Sequence, residues 1–261
     1  MSVREFKIDE ILTDIENFAP VCLAESWDHV GLMVGDRSGT VKNVVLSLDA
    51  DRDALNLCEE EGAGLLITHH PLLFRPLTEI DYQTSKGALV RDFIRKNITV
   101  YSAHTNLDKT AGGVNHVFAE LAGLTSPMSI TGVSVGLCGE LNEVTSLFYM
   151  VKHLKKLLGA GAITLNTDSD REVARIFVQG GSFDADSIPE LIKARIDLVI
   201  AGEIHYHDLM DLRAAGIAAF SIGHDVSERI ILPTLEKRLN LQFPALGVAI
   251  AEGLDYNKNV F

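Results

Sequence analysis

What most restricts this chain is a rhythm. Short apolar runs end abruptly in polar residues, and segments of helical spacing separate them. "NVVLSLDA" reads as a buried strand ending in Asp49, "GLLITHHP" as a second with its exit loop, and "ITVYSAHTNLD" as a third. A first helix is expected over roughly Lys7 to Asn17, where Ile8, Ile11, Leu12 and Ile15 recur at helical spacing. "RDALNLCEEEG" reads as a helix closed by glycine, another helix lies near Gly87 to Lys96, and "GGVNHVFAELAGL" opens with glycines and becomes helical.

The second half has the same rhythm. A strand is expected near Gly136 to Leu141, a helix over Thr145 to Leu158, and strands in "VARIFVQGGS", "IDLVIAGEIHYH" and "IAAFSIGHDVSE". Helices are expected in "SIPELIKAR", near Leu209 to Ala215, and as one long final element near Val226 to Arg238, before a last strand in "LGVAIAEG". Such alternation argues for α/β layers. "GLLITHH" and "VYSAHTNLD" echo "DLVIAGE" and "AFSIGHDVSE", either through an old duplication or because α/β proteins collect polar groups at strand C-termini. The least apolar join, "TSPMSITG", divides the chain into two α/β lobes, 1–128 and 129–261, with the GHDVSE segment expected to pack back on the first lobe.

Composition excludes some functions. Of 261 residues, 47% are hydrophobic, enough for a real core, and the formal net charge of -13 disfavours direct nucleic-acid binding. No uncharged apolar stretch reaches the length of a membrane span, so no membrane partner is expected. The N-terminal segment lacks the apolar core of a signal peptide. Cys22, Cys58 and Cys138 are widely spaced, without a CxxC pair, as expected of reduced thiols in a cytoplasmic protein.

The chemistry gathers at the strand exits. His224 and Glu228 stand four residues apart at a helix start, which stacks an imidazole and a carboxylate on one face; simple helix capping is the alternative. His104 and Asp108 follow another strand. His69 and His70 close the strand before Pro71, which favours an extended His70, and in extended backbone adjacent side chains point to opposite sides. The pair would then serve two different metals, or one would bind while the other braces. Exits in an α/β sheet converge on one edge, and imidazoles with carboxylates suit Zn, Fe, Mn, Ni or Co. A bridging carboxylate, Glu228 or Asp108, would let two ions sit together and generate a nucleophile near neutral pH.

Other candidates carry less. Glu203, His205 and His207 in "AGEIHYH" could contact substrate, or be a polar helix start. Gly112 and Gly113 could receive an anion at a helix N-terminus, or be packing glycines. Trp27 reads as packing rather than substrate stacking.

In this order, "SWDHVGLMVGD", "ITHHPLLF", "YSAHTNLDKTAGGVN", "AGEIHYH" and "SIGHDVSE" resemble the motifs of the NIF-three-like dinuclear metal proteins, also called GTP cyclohydrolase I type 2 homologues. The resemblance covers nearly the whole chain, which looks like the family's short form; the family's tryptophan motif has asparagine where this chain has His29. It implies two divalent metal ions held by His69, His70, Asp108, His224 and Glu228, with Glu228 and His104 managing protons. It also implies a homo-hexamer and a metal-dependent hydrolase acting on a small molecule, a nucleotide or related heterocycle. The alternatives are a metal-trafficking or storage protein, or a regulatory scaffold, using the same site without turnover.

Overall fold

The computed structural model describes residues 4–253. They form two compact units. Residues 4–110 with 231–253 make the first, and residues 111–230 the second.

The first unit contains β1 (Phe6–Lys7), α1 (Ile8–Phe18), β2 (Gly31–Val34), β3 (Thr40–Val41), β4 (Asn43–Ser47), α2 (Arg52–Glu60), β5 (Leu65–Thr68), α3 (Ser85–Arg95), β6 (Thr99–Ser102) and α4 (Thr105–Lys109). The chain returns to it with α10 (Leu232–Gln242) and β13 (Gly247–Ile250). Its main sheet has the order β13-β4-β5-β6-β2, parallel except for β2. Every residue of β5 and β6 is buried, which explains why β5 reads as a nearly continuous apolar run rather than an alternating one. Val45, Leu66 and Val100 pack with Leu55 and Cys58 of α2 and Val90 and Phe93 of α3. Arg238 of α10 grips Asp14 of α1 through two nitrogens, each 2.7 Å from a carboxylate oxygen.

The second unit contains α5 (Val114–Leu121), β7 (Leu124–Met128), β8 (Leu137–Ser146), α6 (Leu147–Leu158), β9 (Thr164–Leu165), β10 (Glu172–Ser182), α7 (Ile188–Lys193), β11 (Leu198–Glu203), α8 (Tyr206–Ala214), β12 (Ala218–Ser221) and α9 (His224–Arg229). Its sheet runs β7-β8-β10-β11-β12-β9, with β10, β11 and β12 parallel. Ile176, Val178, Ile200 and Phe220 face Phe118, Met150 and Leu154, whereas Phe177, Val199 and Ala219 face Leu191 and Leu212. The sheet is thus covered on both sides, as an α/β layer requires.

The first half of the TSPMSITG join lies in β7, an edge strand paired antiparallel with β8; an edge position tolerates Pro127. The two compact units divide near residue 110, and α5 packs on β7, β8 and β10. α9, which carries the GHDVSE segment, contacts β10, β11 and α5 within the second unit, and α10 and β13 belong to the first. The single long final helix is two, α9 and α10, because Pro233 in the first turn of α10 cannot extend the helix before it.

Candidate metal centre

In the first unit the site is built on three neighbouring parallel strands. Asp49 follows β4, His69 and His70 follow β5, and His104 follows β6 and precedes α4. The ladder continues past the strand ends: the His69 and His70 N–H groups donate to Ser47 and Leu48 carbonyls at 3.1 and 2.8 Å. The Thr68 hydroxyl donates to the His70 carbonyl at 2.8 Å. The histidine backbones are therefore set by sheet geometry.

Each ring is braced through Nδ1. His69 Nδ1 lies 3.0 Å from the Ala103 carbonyl, His70 Nδ1 lies 2.8 Å from Asp49 Oδ1, and His104 Nδ1 lies 2.9 Å from Asp28 Oδ1. A carbonyl and an ionised carboxylate only accept, so each Nδ1 donates. In the neutral imidazole this leaves the lone pair on Nε2, the tautomer a metal-ligating histidine needs. The three rings offer ligand atoms within 4.8 Å of one another. Buried Asp108, one turn after His104 on α4, places Oδ1 3.6 Å from His69 Nε2.

The expectation that His69 and His70 point to opposite sides is not met. Their ring centroids are 5.1 Å apart. The strand ends at Thr68 and the chain bends at both histidines, so the alternation of an extended strand no longer applies.

Asp28 holds more than His104. The Thr105 hydroxyl and N–H also donate to it, at 2.6 and 3.1 Å. Burial raises its carboxyl pKa, but the hydrogen bonds from His104 and Thr105 prevail and hold it at about 2. Trp27 is not packed inside; it is 57% exposed, beside Phe74.

In the second unit α9 begins after Gly223, whose φ of 111° suits glycine. Four-residue spacing puts His224 Nε2 3.3 Å from Glu228 Oε2, with Glu228 buried. Glu203, at the end of β11, places Oε2 3.4 Å from His224 Nδ1, and His205 Nδ1 is 3.9 Å from its other oxygen. His207 rests against the Tyr206 ring on the exposed first turn of α8. Gly113 caps α5, and Gly112 takes a φ of 77°.

The donors sit in a cradle made by glycine. A Cβ on Gly181 would come 2.2 Å from Glu228 Oε1 and 3.4 Å from His224 Nε2. The buried Ser227 hydroxyl accepts from Gly181 N–H at 3.0 Å and donates to the His224 carbonyl at 2.7 Å, tying β10 to α9. Asn115 Oδ1 accepts from Gly180 N–H at 2.8 Å. The clustered imidazoles of His69, His70 and His104 thus fit a divalent cation that prefers nitrogen and oxygen ligands.

Sequence reasoning placed His69, His70, Asp108, His224 and Glu228 in one site with His104 beside it; within the first unit the structure brings His69, His70, His104 and Asp108 together, and within the second His224 and Glu228. It missed Asp28, Asp49, Ser227 and the Gly180–Gly181 pair. The one available signal was positional: Asp49 follows β4, and Gly180 and Gly181 lie in the irregular last residues of β10.

A family model described as Duf34/NIF3 (NGG1p interacting factor 3) matches residues 6–255. A Clostridium perfringens protein named GTP cyclohydrolase 1 type 2 homolog is 32% identical over 240 residues, covering 89% of this chain and 91% of its own. A Helicobacter pylori protein named GTP cyclohydrolase 1 type 2 is 32% identical over 226 residues, covering 85% and 87%. The solved structure of a Bacillus cereus protein related to NIF3 superposes with a TM-score of 0.87 over 100% of both chains at 19% identity, a likeness of fold alone.

Proposed function

This chain belongs to the Duf34/NIF3 family, and from that premise we propose that it is a metal-dependent hydrolase acting on a nucleotide or related heterocycle. In this reading His69, His70 and Asp108 of the first unit and His224 and Glu228 of the second hold a pair of divalent ions. The observation that carries it is the set of Nδ1 braces, which commit three clustered imidazoles to presenting Nε2. Divalent ions at such donors supply Lewis acidity and a nucleophile at neutral pH.

The remaining work falls to the chain's own groups. Asp49 and Asp28 orient His70 and His104 and favour one tautomer of each. The carboxylate of Glu228 and Nε2 of His104 hold and return the proton that hydrolysis moves. Glu203, against His224 Nδ1, orients that ring. The substrate class is supported by the names of the relatives. The assembly in this reading is a homo-hexamer, which light scattering of the purified protein tests. No helix among the described residues is long and apolar enough to cross a membrane, and the proposed location is the cytoplasm.

The test is GTP turnover by metal-loaded protein against an Asp108→Ala control. Turnover that the substitution lowers by at least tenfold is expected. Equal turnover in both, or none in either, overturns the hydrolase reading; reversible metal exchange without turnover would favour trafficking or storage.

A further inference from the structure

Trp27 and Phe74 are the feature that the metal centre does not absorb. Both are large, apolar and exposed, at 57% and 50%. Their ring centroids are 5.9 Å apart at 62°, and each lies 6.2 Å from the His104 ring, edge to face. The three rings form a corner with two open aromatic faces beside the imidazole cluster.

The corner is built rather than incidental. Trp27 sits between two anchors on the N-terminal turn of α4: Glu25 N–H donates to the Thr105 hydroxyl at 2.9 Å, and the Asp28 carboxylate accepts from Thr105 and His104. Asp28 N–H also closes a turn onto the Glu25 carbonyl at 3.0 Å. On the other side Leu72, two residues before Phe74, is buried, and Lys86 Nζ donates to the Leu72 carbonyl at 2.9 Å. An exposed aromatic on an anchored turn loses little freedom when a ligand arrives, so contact there converts efficiently into affinity. A flat π-system is the ligand such a face suits, because stacking needs only a planar partner.

We propose that Trp27 and Phe74 form a stacking platform for the planar ring of a heteroaromatic substrate, set beside His104. The proposal deepens the hydrolase reading above and rests on it for the substrate class. Trp27 takes the ring on its face, and Phe74 borders it edge-on. The pair thereby selects for the base rather than for the sugar or phosphate.

Trp27 is the sole tryptophan of the chain, so its emission reports on the platform directly. The protein is titrated with guanosine, and with ribose 5-phosphate as the control, both metal-loaded and after chelation. Saturable quenching by guanosine alone is expected, in both metal states. Phe74→Leu should weaken it severalfold. In equilibrium dialysis, Trp27→Leu should bind guanosine more weakly by on the order of tenfold, with unchanged metal content. Equal quenching by ribose 5-phosphate, or no quenching by guanosine, overturns the proposal. Emission that neither guanosine nor acrylamide alters also overturns it, since another subunit then covers the ring. Quenching without hydrolysis removes only the enzymatic reading, whereas hydrolysis without quenching removes only the platform.

Discussion

Substituting Gly181 by alanine tests how closely the second unit holds its donors. Gly181 has a φ of +68°, and so does Gly159 at the C-terminus of α6. A Cβ at Gly159 meets nothing within 4 Å, whereas at Gly181 it meets Glu228 Oε1 at 2.2 Å. Both substitutions bear the left-handed backbone penalty, about 1–2 kcal/mol. In a chain of this size that lowers the melting temperature by roughly 2–8 °C. Only Gly181→Ala also forces the buried Glu228 carboxylate to retreat, by roughly 1 Å, to reach van der Waals contact. Gly159→Ala should therefore melt slightly lower and keep its metal. Gly181→Ala should melt lower still and lose metal affinity by about tenfold or more. Differential scanning calorimetry and elemental analysis of the two variants, side by side, make the comparison. If they behave alike in both, the glycine is not guarding Glu228 and His224, and the cradle argument fails.

Other outcomes follow from the same geometry. Ser227→Ala leaves the buried Gly181 N–H without its acceptor and should cost about 1–3 kcal/mol, read by urea denaturation; a change under 0.5 kcal/mol would show that the hydroxyl is dispensable. Asp28 has its carboxyl pKa depressed from 3.8 to about 2, so its stabilisation is present above 3.8 and is lost as pH falls toward 2. The stability gap between wild type and Asp28→Ala should accordingly narrow across that range, and a gap constant in pH would contradict the assignment. Burial, helped by Glu59, pushes the Cys58 thiol up to about 12, while Cys22 is exposed. Iodoacetamide at pH 8 should label Cys22 rapidly and Cys58 only on unfolding; mass spectrometry of the labelled peptides decides.

Some of this was legible in the residues and some was not, for physical reasons. β4 and β5 showed because strands covered on both faces are mostly apolar, and β6 because Val100 and Tyr101 continue the apolar run that Ile98 begins. His224 and Glu228 showed because four residues make one helical turn. The orientation of His69 and His70 did not, since it depends on where β5 stops pairing, which one or two residues decide. Pro233 marks the break between α9 and α10, and the single element expected over Val226 to Arg238 ran through it. Asp28 and Asp49 looked like ordinary loop aspartates; only the fold brings them to His104 and His70, which lie 76 and 21 residues away. The role of Gly181 depends on a carboxylate that arrives in the chain long after it. Exposure of Trp27 is likewise a property of the folded surface, which composition does not encode.

The most direct test is the metal content of the purified protein. Elemental analysis should find two equivalents of divalent transition metal per chain in the wild type. His69→Ala in the first unit and Glu228→Ala in the second should each lower that number while the far-ultraviolet circular dichroism stays native. A wild type without metal, or a stoichiometry that neither substitution changes, would contradict the assignment of these residues as ligands.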